Sequence, residues 1–530
     1  MLSNRNQYGN PRIYLSLLLI LLSILQTSLL YEGDIVILLM QGRVSQRAVA
    51  QYKIAQNLAE GKGFTFDGIH KTGSFSPMWI LLMAFIFKII SNPMDSALMC
   101  WALSELIFHA ALIILFILSS KRLKCLSDYI ALIAFFALFP GVKFAFIDGL
   151  ESSLAFLYVS ALFLIFDNLL TNREFKANTK RGVGLGILLT LGFYIRPDLL
   201  IFGAILFMVL VFQKINFSSG LKKLTLGALV SSSVLIIPYF IYNKIALDSV
   251  SPIFFSGASS LSRPEIFSNI FLQMTTALNL HLGPSVSSII TILMVVGFLV
   301  LALWSLFKKR AFLCAISFAI SFRILSFILI GRKATLSVEG ISSIDILVFI
   351  ILVIYAFIIL FKTVFGKKYG SLIFVLILTA FSTLMTFMKD VNSPVRDRNK
   401  VVQSFAAIWT SEYIPPNTIM ASFEPEILAL VSQRSVIDLS GKYNDKAYNK
   451  NYLSRDNVAE YIIDENVDYI FGRFEFIKPD SNSTLVILES GLSEGEASAE
   501  YKLITKLSEN LRIKKQFSHS FYIIQFLKEG

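Results

Sequence analysis

"SSLAFLYVSALFLIFDNLL", residues 152–170, is an apolar run in which Asp167 is the only charged residue. A run of about 20 apolar residues is long enough for a helix to cross the hydrocarbon core of a bilayer. We therefore predict that this stretch is a transmembrane helix and that helices of this kind dominate the fold.

Similar runs recur along the chain and predict an α-helical multi-pass membrane protein with about eleven transmembrane helices. The composition agrees, since 55% of the residues are hydrophobic, 16% are charged and the mean hydropathy is +0.67. Pro197 divides one apolar region into two short spans, because proline interrupts a helix. The run 77–90 is too short to span a membrane and is expected at the membrane interface. The predicted spans are 12–31, 97–119, 129–147, 152–170, 183–195, 197–212, 225–243, 286–306, 311–330, 343–364 and 370–388.

The charge distribution predicts the orientation in the membrane. The formal net charge is +12, and the basic residues cluster on one side of the predicted spans. The positive-inside rule makes that side cytoplasmic, so the amino terminus lies inside and the carboxyl terminus outside a cell (inner) membrane. This explains the charge without nucleic-acid binding. The three cysteines have no paired spacing, which argues against a disulfide scaffold, an iron–sulfur cluster and a Cys-based zinc site.

The composition changes after residue 388, where charged residues become more frequent and apolar runs shorten to the length of strands. We predict a transmembrane domain over residues 1–388 and an extracytoplasmic α/β domain over residues 389–530. Two long polar loops, 32–76 and 244–285, are expected on the same outer side.

The first polar loop begins with a predicted helix. Small and apolar residues recur at helical spacing between Ser45 and Glu60, as in a helix that lies on a membrane surface. Gly61 and Gly63 are expected to end this helix.

Two positions at the ends of predicted spans are candidates for chemistry. Glu151 directly precedes the span 152–170, where a carboxylate can act as a base, bind a metal ion or stabilise the start of the helix. Arg196 precedes Pro197, where an arginine can hold a phosphate or pair with Asp198. The residues alone leave these alternatives open.

Several motifs follow one another along the chain. They are "AQNLAEGKGFTFDGIHKTGSFSPMW" (55–79), "DGLESSLAFLY" (148–158), "YIRPDLLIF" (194–202), "PYFIYNKIALDSVSPIFFSG" (238–257) and "RSVIDLSGKYND" (434–445). Each resembles a motif of the bacterial GT-C-type integral membrane glycosyltransferases. The resemblance implies a helical bundle that transfers a sugar from a polyprenyl-phosphate donor to a glycan, lipid or protein acceptor on the outer face.

The chain departs from that family at the start of the first loop. Members commonly carry a pair of acids there, and the first is regarded as the catalytic base, whereas this sequence has Gln46 and Arg47. An amide cannot take up a proton from the acceptor hydroxyl as a carboxylate does. Three interpretations stay open: another acid does the work, Gln46 orients a substrate, or the chain is an inactive relative.

The resemblance implies a set of site residues. Glu151 is expected to bind the acceptor or a metal ion, and Arg196 to bind the phosphate. A divalent metal ion is left open as a cofactor. An inactive protein that binds or scaffolds lipid-linked glycans, and a transporter of them, are the alternatives to a glycosyltransferase. The candidate catalytic residues are Glu151, Asp34 and Asp67, and the candidate substrate-binding residues are Arg196, Asp198, Gln46, Arg47 and Asn57.

Overall fold

The computed structural model describes fifteen stretches of the chain. The predicted spans between residues 286 and 388, and nearly all of 129–147 and of the loop 244–285, lie outside them. The described residues are 11–28, 33–73, 76–122, 129, 146–171, 178–213, 219–247, 398–444, 448, 452, 458–480, 483–489, 500–503, 511–516 and 521–526.

The described part of the first half of the chain is helical. Three of its helices are long and apolar enough to cross a membrane, at Pro93–Lys121, Ser152–Leu169 and Lys222–Ile245. Large apolar side chains such as Leu226 and Ile245 are exposed, as expected for helices that face lipid. The helices are α1 (Pro11–Ser28), α2 (Ile35–Met40), α3 (Gln46–Ala59), α4 (Pro77–Ile89), α5 (Pro93–Arg122), α6 (Ser152–Thr171), α7 (Thr179–Ile195), α8 (Pro197–Gln213) and α9 (Ser219–Leu247).

The predicted helix break at Pro197 is confirmed. Helix α7 ends at Ile195, and Arg196 caps it with extended backbone angles. Helix α8 then begins at Pro197, where proline is favourable because the first turn needs no backbone donor. The break directs the chain back so that α7 and α8 pack beside each other.

Helices α7 and α9 approach closely through glycines. A side chain at Gly182 would collide with the backbone of Leu224, and one at Gly186 would collide with Ala228 and Ser231. Small residues four apart allow two helix backbones to pack tightly, which is a common device between membrane helices.

The described part of the second half is a mixed sheet with helices. Strands β1, β2 and β3 are parallel in the order β2-β1-β3, and the other strands are antiparallel. The sequence predicts strands at 417–423, 435–441, 467–473, 484–490 and 521–527 and a helix at 455–465. A strand or helix of the structure lies in each of these stretches, whereas β5, β6, α10 and α11 were not predicted. The elements are α10 (Arg398–Tyr413), β1 (Ile419–Ser422), α11 (Pro425–Ser432), β2 (Ser435–Asp438), α12 (Val458–Asp464), β3 (Tyr469–Asp480), β4 (Ser483–Glu489), β5 (Glu500–Leu503), β6 (Leu511–Gln516) and β7 (Phe521–Phe526).

Helix α3 has the predicted boundaries and is largely buried. Ser45 caps its start by accepting a hydrogen bond from the Ala48 amide, and Gly61 follows its end with a positive φ of 84°. Ten of its fourteen residues are buried, because α4 and α11 pack against it. Little of α3 is therefore left exposed, and its polar side chains contact other parts of the protein.

The part of the protein from α10 to β7, here called the sheet-containing part, packs onto the first polar loop, residues 32–76. The rings of Phe66 and Tyr443 stack with centroids 4.7 Å apart, and the Ser435 hydroxyl donates to the Asp67 carbonyl at 2.6 Å. Farther along the interface, Gln56 of α3 donates to Gln433 at 2.5 Å. These contacts hold the loop between the helices and the sheet.

The motif at 434–445 shapes this interface through its backbone contacts. Arg434 donates to the carbonyl oxygens of Ser411, Ile414 and Ser432. The Asp438 carboxylate accepts from the amides of Ser440 and Tyr443, both at 2.8 Å. The polar residues of the motif therefore fix a turn after β2.

Candidate functional site

The turn before α6 determines where Glu151 lies. The Asp148 carbonyl accepts from the Ser45 amide at 3.1 Å, and the Gly149 carbonyl accepts from the Trp79 indole at 3.2 Å. Gly149 has a φ of 89°, and a side chain there would collide with the Tyr52 hydroxyl. Helices α3 and α4 thus hold the turn that presents Glu151.

Two arginines from separate elements meet at Glu151. Arg47 lies in the first turn of α3, and Arg196 lies at the break between α7 and α8. A guanidinium nitrogen of each is 3.9 Å from Oε1 of Glu151. The side chains of Glu151 and Arg196 are only 2% and 7% exposed. We call these three residues the Arg–Glu cluster, and its formal charge is one positive unit.

Glu151 is stabilised in its charged form. Burial alone would raise its pKa, but Arg47 and Arg196 and a hydrogen bond from Gln51 hold the pKa below its ordinary value. The Gln51 amide donates to the other carboxylate oxygen, Oε2, at 3.0 Å. The cluster therefore holds an ionised carboxylate between two cations and an amide.

Two buried polar atoms have no hydrogen-bond partner among the described residues, one on the residue that donates to Glu151 and one two residues after Glu151 in the chain. They are Oε1 of Gln51 and the hydroxyl oxygen of Ser153 in the first turn of α6. A buried polar atom without a partner costs free energy unless water or a ligand satisfies it. The surroundings of Glu151 therefore offer both positive charge and hydrogen-bonding groups to a polar ligand.

No family model and no curated protein matches the chain. Similar solved structures include the Archaeoglobus fulgidus oligosaccharyltransferase in complex with Zn and sulfate, at 13% identity and a TM-score of 0.42, covering 81% of this chain and 64% of that chain. ArnT from Cupriavidus metallidurans matches in its apo state, at 10% identity and a TM-score of 0.48, covering 90% of this chain and 92% of that chain. ArnT bound to undecaprenyl phosphate matches at 10% identity and a TM-score of 0.48, covering 97% of both chains.

This chain spans 64% of the oligosaccharyltransferase, which is less than two thirds. All three matches have TM-scores below 0.5, so they assign neither a family nor an activity to this chain.

Asp34 and Asn57, which the sequence proposes as site residues, have local structural contacts. Asp34 is exposed and caps α2 by accepting from the Val36 amide at 2.8 Å. Asn57 is buried and donates to the carbonyl oxygens of Thr65 and Phe66 at 3.0 and 2.9 Å. Its amide hydrogens thus hold the loop after α3 in place.

Asp67 forms a separate ionic group with His70 of the same loop and with Glu465, which is distant in sequence. It accepts from Nδ1 of His70 at 2.6 Å, and Nε2 of His70 lies 3.3 Å from Glu465 at the end of α12. The hydrogen bond to Asp67 and the nearby charge of Glu465 raise the pKa of His70 to about 9, although partial burial opposes the rise. His70 therefore joins the first loop to the sheet-containing part as a cation between two carboxylates.

Gln46 and Arg47 are neighbours with different partners. Arg47 joins the Arg–Glu cluster, whereas the Gln46 amide donates to Gln403 of α10 at 3.2 Å. Asp198 lies in the first turn of α8, and its side chain is outside the described part of the structure.

Of the predicted site residues, the structure brings together Arg47, Glu151 and Arg196. It adds Gln51, which lies one helical turn after Arg47 and so shares a face of α3 with it; that spacing was a usable signal in the sequence. His70 follows Asp67 by three residues, but no local pattern points to Glu465. Within the described stretches, no group of three His, Cys, Asp or Glu side chains is arranged to hold a metal ion.

Proposed function

We propose that this protein is a GT-C-type membrane glycosyltransferase that moves a sugar from a polyprenyl-phosphate donor to a hydroxyl group of a glycan, lipid or protein. The observation that carries the proposal is the convergence of Arg47 and Arg196 on the buried carboxylate of Glu151. The ordered motifs in the sequence support the same class of enzyme.

The charge of the cluster suits a phosphate group. Arginine presents a planar set of donors that matches phosphate oxygens, and burial strengthens the attraction. Both guanidinium groups lie 3.9 Å from Glu151, beyond ordinary hydrogen-bonding distance. A phosphate that enters between them gains charge-assisted hydrogen bonds and neutralises the excess positive charge.

The same groups suit the chemistry of transfer. The bond from the sugar to the phosphate oxygen breaks, and the two arginines stabilise the negative charge that develops on the leaving phosphate. The acceptor oxygen bonds to the same sugar carbon, and its proton passes to the Glu151 carboxylate. Gln51 holds that carboxylate in place through its hydrogen bond to Oε2.

Binding and turnover in detergent test the proposal on the full chain. We expect it to bind undecaprenyl phosphate at least tenfold more tightly than uncharged undecaprenol, and Arg196→Met to remove most of this preference. Arg181→Gln, at the start of α7, is the matched control for loss of one positive charge and should retain the preference. Equal binding of both lipids by the wild-type chain contradicts the proposal.

Glu151→Gln separates binding from catalysis. Undecaprenyl phosphate should bind at least as tightly as in the wild type, because the cluster becomes more positive. Release of undecaprenyl phosphate from a panel of undecaprenyl-phosphate hexoses and pentoses should fall at least about a hundredfold, as for loss of a general base. Unchanged turnover in this variant excludes Glu151 as the base.

A non-catalytic protein that binds lipid-linked glycans is the second candidate. The observation that favours it is that Gln46, where an acid was expected, donates a hydrogen bond to Gln403. This candidate predicts the same lipid preference in the binding experiment, but no release of undecaprenyl phosphate by the wild-type chain from any lipid of the panel.

A further inference from the structure

A chain of three side chains connects the start of α3, one residue before Arg47, to the sheet-containing part. Gln46 Nε2 donates to Gln403 Oε1 at 3.2 Å, and Gln403 Nε2 donates in turn to Oε2 of Glu424. Glu424 directly precedes α11, yet its side chain makes no capping hydrogen bond to that helix. Its carboxylate is instead directed to α10. We call this chain of hydrogen bonds the glutamine relay.

The direction of the glutamine relay follows from Glu424. A carboxylate only accepts hydrogen bonds, whereas a glutamine amide can donate from nitrogen and accept at oxygen. Gln403 must therefore turn its nitrogen to Glu424 and its oxygen to Gln46. Gln46 must then donate from its own nitrogen.

This direction determines which atom of Gln46 is available to a ligand. The amide group is planar, so Oε1 points away when Nε2 points to Gln403. Oε1 of Gln46 makes no hydrogen bond with any residue in the described stretches, and Gln46 is only partly buried. The neighbouring residue is Arg47, which belongs to the Arg–Glu cluster. A hydrogen-bond acceptor is thus held one residue before Arg47, in the first turn of α3.

We propose that Glu424 and Gln403 are positioning residues that fix Gln46 as a hydrogen-bond acceptor for a hydroxyl group of the donor sugar. The proposal rests on the proposed function, because it places the sugar beside a phosphate held by Arg47 and Arg196. It gives the sheet-containing part a role in recognising the sugar.

The other end of α3 supplies a matched control. There Gln56 Nε2 donates to Gln433 and to Glu60 Oε1, so a glutamate again receives a hydrogen bond from a glutamine at the interface. Gln46 and Glu60 are about 20 Å apart along the helix, at about 1.5 Å per residue. Glu60→Gln changes the same kind of glutamine–glutamate contact far from the Arg–Glu cluster, and it also removes the ion pair of Glu60 with Lys62.

The experiment measures two affinities of the full chain in detergent: for undecaprenyl phosphate, and for undecaprenyl-phosphate hexoses and pentoses. The affinity for the sugar-bearing lipid divided by the affinity for undecaprenyl phosphate reports the contribution of the sugar to binding. Glu424→Gln and Gln46→Leu should each reduce this ratio about three- to tenfold, the effect of one net hydrogen bond. Both variants should bind undecaprenyl phosphate within about twofold of the wild type, which also shows that they are folded. Glu60→Gln should change neither affinity.

Glu424→Asp distinguishes positioning from packing. Aspartate is shorter but still only accepts, whereas glutamine has the size of glutamate but can also donate. The proposal predicts that Glu424→Asp keeps more of the sugar contribution than Glu424→Gln. The reverse order, or a wild-type ratio in Glu424→Gln, overturns it while leaving the proposed function intact. Failure of the wild-type chain to prefer undecaprenyl phosphate over undecaprenol overturns the proposed function itself.

Discussion

At the scale of single residues, Gln46 and Arg47 show how two unexpected side chains are accommodated. Arg47 reverses the charge expected at its position, but Glu151 lies within reach and balances it. Gln46 replaces an acid and takes part in a hydrogen-bond chain that ends on the carboxylate of Glu424. Negative charge therefore lies near both residues, although it comes from other parts of the chain.

Glu151 makes the stability of the protein sensitive to acid. Its pKa is lower in the folded protein than the ordinary value of 4.5, so ionised Glu151 stabilises the fold above that pH. This contribution is lost as the pH falls from about 4.5 through the lowered pKa. We expect the midpoint of thermal unfolding to fall more between pH 5 and pH 3 in the wild type than in Glu151→Gln. Parallel pH curves for the two proteins contradict the prediction.

At the scale of elements, close approach of α7 and α9 depends on which glycine faces the partner helix. Gly186 faces Ala228 and Ser231 of α9. At Gly184, by contrast, an added Cβ atom would have no neighbouring atom within 4 Å. The two glycines lie two residues apart in α7 and so point to different sides of it.

Substituting each glycine by alanine tests this packing. Gly186→Ala forces α7 and α9 apart and should destabilise the protein by about 1–3 kcal/mol, as overpacking typically does. Gly184→Ala should change stability by less than about 1 kcal/mol, since alanine is the better helix former. Thermal unfolding of the full chain in detergent measures both. Equal effects of the two substitutions count against a tight α7–α9 contact at Gly186.

At the scale of the whole molecule, His70 joins the first loop to the sheet-containing part. It lies between Asp67 of its own loop and Glu465 at the end of α12. The imidazolium form satisfies both carboxylates, because both ring nitrogens then donate. Loss of its proton removes one of these two interactions and weakens the contact between the two parts.

The His70 contact predicts a loss of stability in alkali. The pKa of His70 rises from 6.5 to about 9 on folding, so its stabilisation is fully present below about pH 6.5 and is lost as the pH rises through about 9. The difference in unfolding midpoint between wild type and His70→Gln should therefore shrink between pH 6.5 and pH 9.5. Comparing the two proteins cancels other groups that titrate there, such as Lys53, whose pKa burial lowers to about 8. A difference that does not change with pH contradicts the prediction.

Sequence alone determined the local structure of this protein wherever the spacing of apolar residues or the backbone preference of a single residue is decisive. The apolar runs, the break at Pro197, the start of α3 at Ser45 and five of the seven described strands follow from residues within a few positions of one another. Hydrophobic spacing and backbone restriction act over that range, so these features could be predicted.

Only the tertiary structure decided which distant side chains meet. Hydrophobic spacing indicates which face of a helix is buried, but not which element covers it. The spacing in α3 does not show, for example, that α4 and α11 cover this helix. Arg47, Glu151 and Arg196 are more than a hundred positions apart in sequence from first to last, and long-range packing alone brings their charges together. The same packing joins Gln46 to Glu424 through Gln403, and it joins His70 to Glu465. A buried charge or amide needs a partner, and the fold supplies one from elsewhere in the chain.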